Sequence, residues 1–182
     1  QLNAAQTILA NTQAAGTDLK DVNAALLELN HYADKTIYNF AEMAKNIGTF
    51  TAAGVDLETA TGSIKGIANL AALSGSNAQQ ASTAMYQLSQ AISSGRVSLQ
   101  DWNSVVNAGM GGAVFQRALV NTAVQMGTLN KDAVEFTGKM KNARINGQSF
   151  RESIMAKPGE QSWLSKEVLT GTLEQFTGDL SR

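Results

Sequence analysis

Residues 56–95, DLETATGSIKGIANLAALSGSNAQQASTAMYQLSQAISSG, contain the clearest periodic pattern of the chain and decide its fold. Apolar residues recur there every three or four positions in two runs, which is typical of helices with one buried face. The first run is Leu57, Ala60, Ile64, Ile67 and Ala71, and the second is Ala81, Met85, Leu88 and Ile92. Ser76 and Gln79 have the spacing of a capping box at the start of the second helix. We therefore predict a helical hairpin in which Met85 and Leu88 are buried against Ile64 and Ile67.

Helical spacing extends to both sides of this hairpin. A segment from about His31 to Ala53 carries one apolar stripe and is followed by Gly54, which has the position of a left-handed C-cap. The stripe consists of Ala33, Ile37, Phe40, Ala44, Ile47 and Phe50. After the hairpin, Ser98 is predicted to cap a short helix that contains Trp102, and the three glycines of Asn107–Ala113 are predicted to end it.

The last third of the chain has weaker patterns, which we also assign to helices. The helix after residue 113 is predicted to bury Val114, Ala118, Leu119, Ala123 and Met126. Asn130 is predicted to cap a further helical segment that carries Val134, Phe136 and Met140. Asn146-Gly147 is predicted to form a turn and Lys157-Pro158-Gly159 a loop, before a closing helix over 165–180.

These patterns predict an all-α protein, a multi-helix module of about eight short to medium helices joined by Gly-rich turns, with no sheet. No run of four to eight residues alternates as a half-buried strand does, and a chain with 27 Ala and a single Pro favours helices. We expect residues 1–16 to be a linker or frayed helix, 17–146 the helical module, and 147–182 a loop and helix packing on it. Because the chain lacks an initiator Met and a signal peptide, we expect it to be a piece of a longer protein.

Composition excludes several classes of function. Fourteen Lys and Arg against fifteen Asp and Glu give a net charge of −1, so no basic field predicts specific nucleic-acid binding. The chain has no Cys and therefore no disulfide, thiolate nucleophile or Cys-based zinc site. No apolar run approaches the roughly 18 residues of a transmembrane helix.

Motifs that carry chemistry are equally scarce. The single His, His31, is flanked only by Glu28 and Asp34 at spacings that make no zinc ligand set. The stretch 109–112 lacks the Lys-Ser/Thr of a phosphate loop, and no G-x-S-x-G elbow occurs. We expect no catalytic residue, cofactor, metal or small-molecule substrate. Gly62-x-x-x-Gly66 favours close packing of two helices, while Trp102 and Trp163 favour core packing over ligand binding.

A series of short segments carries a resemblance to known proteins: 31–40, 46–55, 64–69, 81–91, 95–102 and a closing segment from Trp163 to Asp179. In this order the series resembles the N-terminal domain of tape measure proteins of long-tailed bacteriophages, and the resemblance covers roughly residues 17–180. The specificity lies in the order of the matches, since no single one is a catalytic motif. The residues that we single out as signature and packing positions are Tyr32, Phe40, Phe50, Gly54, Ile64, Ile67, Met85, Leu88, Trp102, Trp163 and Phe176.

The resemblance implies a structural protein of the virion rather than an enzyme. Chain length in that family sets tail length during assembly, and the protein fills the tail tube until it leaves ahead of the DNA. The implied locations are the tail lumen and, during assembly, the host cytoplasm; prophages and tail-like bacteriocins carry the same family. The implied partners are tail tube and distal tail proteins, assembly chaperones, other copies of the chain and, for some full-length members, a host membrane during ejection.

Two other classes remain open at this stage. One is a generic helical protein-interaction module or secreted helical effector, which unrelated repeats or a partner groove would support. The other is a cell-wall hydrolase fragment, which needs a catalytic carboxylate in a cleft, and the sequence isolates no candidate Glu for that role.

Overall fold

Helices make up most of the computed structural model, which describes residues 3–34, 36, 38–139, 142–155 and 161–177. In these residues the longer helices are α1 (Ala4–Thr12), α2 (Leu19–Asp34), α3 (Phe40–Ala52), α4 (Leu57–Leu73), α5 (Ala78–Ser94), α6 (Leu99–Asn107) and α7 (Ala113–Met126). A single-turn helix, α8 (Phe150–Ser153), and a last helix, α9 (Lys166–Glu174), follow towards the C-terminus. Short 3-10 turns occur at Gln13–Ala15, Lys131–Ala133 and Gln175–Thr177.

Polar side chains set the starting point of most of these helices. The residue before α3, α4, α5, α6 or α9 accepts a hydrogen bond from a backbone N–H of the first turn, which satisfies one of the groups that a helix start leaves free. These capping residues are Asn39, Asp56, Asn77, Ser98 and Ser165. The predicted cap at Ser98 is present, and Asp101 completes a capping box because it accepts from the Ser98 N–H at 3.0 Å.

Three local predictions are corrected by the structure. The segment from His31 to Ala53 is two helices, because α2 continues to Asp34 and Asn39 starts α3; Ile37 lies outside the described residues. The cap of α5 is Asn77 with Gln80, one position later than predicted, and the buried Ser76 hydroxyl donates instead to the Ala108 carbonyl. The buried face of α7 is Phe115, Leu119, Val120, Thr122 and Ala123, whereas Val114 and Met126 are exposed.

The prediction of an all-α fold with no sheet is wrong. A three-stranded antiparallel sheet has the order β1-β2-β3, with β1 at Val134–Thr137, β2 at Asn142–Ile145 and β3 at Gln148–Ser149. Asn130 caps the 3-10 turn at Lys131–Ala133, and the chain then becomes extended instead of continuing as a helix. Met140, assigned to that helix, lies outside the described residues.

The turn between β2 and β3 explains part of this difference. Asn146 and Gly147 have φ angles of 53° and 78°, the two successive positive values of the type I′ turn that closes tight hairpins. The register pairs Ile145 with Gln148 and Val134 with Ile145. The predicted turn is therefore correct, and it joins strands rather than helices.

Helix α4 lies at the centre of the packing. It contacts α2, α3, α5 and α9 as well as the 3-10 turn at Gln175–Thr177, while α5 packs further against α3 and α6. Helix α1 packs on α2 and α3 and buries Ile8 completely. Helix α7 connects α9 to the sheet through its contacts with β2.

The C-terminal segment is attached to the helical body by backbone hydrogen bonds. Val97 N–H donates to the Leu164 carbonyl at 3.0 Å, and Lys166 N–H donates to the Gly95 carbonyl at 2.8 Å. Arg96 and Ser165 thereby form an isolated antiparallel bridge. These bonds join the start of α9 to the segment that follows α5, and α9 itself packs against α4.

Candidate functional site

All of the predicted signature and packing residues except the exposed Gly54 lie in or against one hydrophobic core. Phe50, Ile64, Ile67 and Leu88 have no exposed surface, and Met85 has 1%. Trp102, Trp163 and Phe176 are also buried, and Tyr32 and Phe40 pack partly buried against the same core. Gly54 follows the end of α3 with a φ of 92°.

Trp102, Trp163 and Phe176 belong to one aromatic cluster. Two further rings, Phe115 and Phe150, connect them, and the sequence did not single out either one as a core residue. The Trp102 ring centroid lies 4.4 Å from that of Phe150 and 5.8 Å from that of Phe115. Phe150 meets the edge of Trp163 at 5.5 Å, and Phe115 meets the edge of Phe176 at 6.4 Å. Tilted and edge-to-face contacts of this kind stabilise a core beyond the area they bury. The sequence contained a signal for the burial of Phe115, because this residue precedes the buried Leu119 by four positions and so lies on the same face of α7.

The contact between α4 and α9 is unusually close at Gly66. A Cβ atom built on Gly66 would overlap the Leu173 carbonyl oxygen and lie 2.7 Å from the carbonyl carbon. Because both atoms are backbone, they could move away only if α9 shifted as a whole. The prediction of close helix packing at this glycine is therefore confirmed, and its partner helix is α9.

A row of polar side chains ties α2, α4 and the segment after α9 together. The Tyr32 hydroxyl donates to Asn69 Oδ1, and Asn69 Nδ2 donates to the Phe176 carbonyl. Burial raises the pKa of Tyr32 to about 12. Burial, followed by the charge of Tyr32, also raises the pKa of Tyr38, whose hydroxyl donates to the Ala68 carbonyl at 3.4 Å. Both phenols are thus protonated donors at neutral pH.

Ser63 on α4 is the exception to this satisfied polar network. Its side chain is fully buried, and its hydroxyl is the one buried side-chain polar atom of the described residues that has no hydrogen-bond partner. A buried hydroxyl normally finds a partner, since its desolvation is otherwise uncompensated. The Ser63 hydroxyl thus makes no hydrogen bond among the described residues that would offset its desolvation.

A groove with a volume of about 1060 Å³ lies between α2 and α4 and has an acidic lining. Three of its carboxylates have structural partners. Asp56 accepts from Thr59 N–H at 2.7 Å to cap α4, and Glu28 forms an ion pair with Lys65. Asp21 accepts from Asp18 N–H at 3.1 Å at the start of α2. Two of these carboxylates thus stabilise helix starts, and the third forms an ion pair.

The searches for metal and membrane sites concern the described residues alone. Among those residues, no group of three or more His, Asp or Glu side chains is placed to hold a metal ion. His31 is exposed in the last turn of α2. None of the helices in the described part is long and apolar enough to cross a membrane.

Fold and contacts together define a helical structural module, whose main features are helix–helix packing contacts. The family model of the tape measure protein matches residues 2–148, and the chain belongs to this family. The family is structural and serves in the phage tail, where it interacts with other tail proteins. No curated protein and no solved structure matches the chain.

The matched range ends at the beginning of β3. Helices α8 and α9 lie beyond it, although Leu164, Val168, Leu169 and Leu173 are among the fully buried residues of the core. The segment that closes the core against α4 is therefore outside the part that the family model describes.

Proposed function

We propose that this chain is a folded module of a tail tape measure protein that sets tail length during assembly, fills the tail tube and is released when DNA is ejected. The observation that carries this proposal is the family match over residues 2–148. A tape measure role in the phage tail follows from the family. The steps of assembly and ejection are the proposed part.

The packing supports a module attached to the ruler rather than a stretch of the ruler. A continuous helix adds about 1.5 Å of length per residue, so a ruler needs long uninterrupted helix. The longest helices of the described part, α4 and α5, have 17 residues each and pack on their neighbours. Additional residues here would thus enlarge a folded body instead of lengthening a rod.

We place the assembled module in the lumen of the tail and the newly made chain in the host cytoplasm. Its partners there are tail tube and distal tail proteins, assembly chaperones and other copies of the chain. The division into 17–146 and a packed 147–182 belongs to the same proposal. The contact of α9 with α4 supports it, because the second part then completes the core of the first.

Release from a narrow tube favours helices that pack through small side chains. Gly66 under α9 and the many Ala residues of the chain let helix backbones approach closely. Burial of small side chains also removes less apolar area from water per residue than burial of large ones, so less free energy opposes opening. We therefore propose that the module opens during ejection.

Protease protection of purified phage tests the location and the release. Intact particles are treated with a nonspecific protease, and peptides from residues 1–182 are quantified by mass spectrometry before and after DNA ejection is triggered. We expect the peptides to be protected in intact particles and to leave the tails after ejection, while peptides of the tail tube protein remain as the control. Digestion in intact particles, or retention in emptied tails, would contradict the proposal.

A further inference from the structure

β1 is an edge strand of this sheet, and no other strand of the described residues pairs with its outer edge. Within the described residues, β1 packs extensively only against β2, and three of its four side chains are exposed. An uncovered strand edge presents backbone groups that can pair with another strand. Such an edge is a docking site for a strand of matching direction and register.

The hydrogen-bond pattern identifies which residue of β1 faces outward. Ala143 on β2 lies opposite Phe136 and donates its N–H to Gln116 Oε1 at 3.2 Å. The Ala143 N–H therefore points away from β1. Three residue pairs along the ladder, Asn146 N–H donates to the Ala133 carbonyl at 2.8 Å. Because bonded and non-bonded pairs alternate along an antiparallel ladder, Phe136 points both its N–H and its carbonyl away from β2.

Phe136 is the only residue of β1 that offers both groups. Val134 has the same outward orientation by alternation, but its N–H donates to the Lys131 carbonyl. Phe136 is 40% exposed, and its ring lies 5.5 Å from the Arg117 guanidinium of α7. The edge therefore combines a free donor, a free acceptor and an accessible aromatic ring at one position.

We propose that this edge pairs with the same edge of a second copy of the chain, in an antiparallel arrangement with its twofold axis at Phe136. In that register each Phe136 N–H donates to the Phe136 carbonyl of the other copy. The two rings lie side by side on one face. The three-stranded sheets of the two copies then form one continuous six-stranded sheet, with the two β1 strands side by side at its centre.

The second copy is favoured over an unrelated strand because the edge is self-complementary. A twofold axis at Phe136 lets the two copies exchange both hydrogen bonds at this one residue, whereas an axis at Glu135 would place the two Glu135 carboxylates opposite each other. The register places Glu135 opposite Thr137 of the second copy, so no like charges face each other across the axis. A net charge of only −1 leaves little repulsion between copies.

The contact is small, and this determines where it acts. One strand edge buries far less than the roughly 1,200 Å² of a stable protein–protein interface. The pair is therefore weak in dilute solution and forms where copies are held at high local concentration. Covalent trapping is the suitable measurement, because it accumulates even a weakly populated contact.

Disulfide trapping with the 182-residue chain tests the register directly, since the chain has no Cys of its own. Glu135→Cys and Thr137→Cys proteins are prepared separately, mixed and mildly oxidised. We expect heterodisulfide between the two proteins to exceed homodisulfide of either one. A mixture of Leu27→Cys and Tyr86→Cys, two exposed positions on α2 and α5, gives the collision background. Heterodisulfide at the background level, or equal homodisulfide of Glu135→Cys alone, would overturn the proposal.

A proline substitution separates the backbone pairing from nonspecific contact of the hairpin. Phe136→Pro, placed in both Cys proteins, removes the outward N–H without removing a bond to β2, so the fold is retained in the circular dichroism spectrum. Phe136→Thr removes the ring but keeps the N–H. We expect the proline proteins to cross-link at background level and the threonine proteins to cross-link above it. Unchanged cross-linking of the folded proline proteins would show that the strand edges do not pair.

Discussion

At the scale of single residues, Gly66 sets how closely the closing helix α9 approaches the central helix α4. Its missing side chain is what lets the Leu173 carbonyl reach the α4 backbone. Gly is otherwise unfavourable inside a helix by roughly 0.5–1 kcal/mol relative to Ala. The contact with α9 must outweigh that cost for the glycine to stabilise the fold.

Gly66→Ala is therefore expected to lower the free energy of unfolding by about 1–3 kcal/mol, because the new methyl group displaces backbone atoms of α9. Gly48→Ala is the matched control. It lies in the interior of α3, and the nearest atom to its new Cβ is a methyl carbon of Thr7 at 3.8 Å, so it is expected to be neutral or slightly stabilising. Urea unfolding of both variants measures the difference. Equal effects of the two substitutions would show that the close approach to Leu173 has no energetic consequence.

Ser63 and Ser89 give a second pair of opposite expectations. Ser63→Ala removes a buried hydroxyl that has no partner, so we expect unchanged or increased stability, by up to about 1 kcal/mol. Ser89 is equally buried, but its hydroxyl bonds to the Met85 carbonyl at 2.8 Å, and Ser89→Ala is expected to cost about 1 kcal/mol. Thermal midpoints of the two variants test this contrast. A loss of stability in Ser63→Ala would reveal a partner for that hydroxyl.

The buried phenol of Tyr32 makes stability depend on pH in the alkaline range. An unfolded Tyr titrates near pH 10, whereas burial raises the pKa of Tyr32 in the folded protein to about 12. The folded state thus holds the proton more tightly, and its stability is complete below pH 10 and declines as pH rises towards 12. We expect a lower urea midpoint at pH 11 than at pH 8. The decline should be smaller in Tyr32→Phe, and an undiminished decline in that variant would contradict the assignment.

At the scale of elements, α4 and α5 owe their positions to apolar stripes and polar caps that can be seen in the sequence. Ile64, Ile67 and Leu88 are fully buried where the periodicity placed them. Both helices also have neighbours that the periodicity does not identify. α4 packs against α9, far along the chain, and α5 against α6.

Met85→Ala is expected to destabilise the chain by roughly 2–5 kcal/mol, because it removes a buried side chain from the face of α5 that lies in the core. Tyr86→Ala, at the next position, removes a larger side chain that is 54% exposed and is expected to have a much smaller effect. Thermal unfolding followed by circular dichroism compares the two. An unchanged midpoint in Met85→Ala would mean that the buried face of α5 has been assigned wrongly.

The sheet was missed for a reason that lies in its size. Val134-Glu135-Phe136-Thr137 does alternate, contrary to the prediction that no such run exists, but four residues are too few to distinguish a strand from a helical repeat. Asn130 then favoured a helix start, because a cap of a 3-10 turn and a cap of an α-helix look alike in sequence. The Asn146-Gly147 turn was the available signal, since this pair is typical of a tight hairpin between strands.

At the scale of the whole molecule, the chain folds around a core that its last segment completes. Local patterns predicted most of the helices and the close packing at Gly66, and the resemblance predicted the family. They could not predict that Leu173 is the residue above Gly66, because 107 positions separate the two in the chain. Contacts of that kind depend on the tertiary arrangement of all the helices, which no local repeat encodes.

Tail length in mutant phage tests the central claim, a folded module of a tail tape measure protein, most directly. One mutant carries an in-frame deletion of residues 56–95, which removes α4 and α5, and a second carries Gly66→Leu, which keeps the chain length and disrupts the contact with α9. Electron micrographs of particles from both mutants are compared with the parent. We expect both mutants to fail in tail assembly, because each exposes apolar surface of the core. The free energy gained by burying such surface is far larger than the net free energy of unfolding of a domain. Intact, infectious particles with tails shorter by roughly 60 Å in the deletion mutant, together with normal tails in Gly66→Leu, would show that this region measures length as extended helix and would contradict the account.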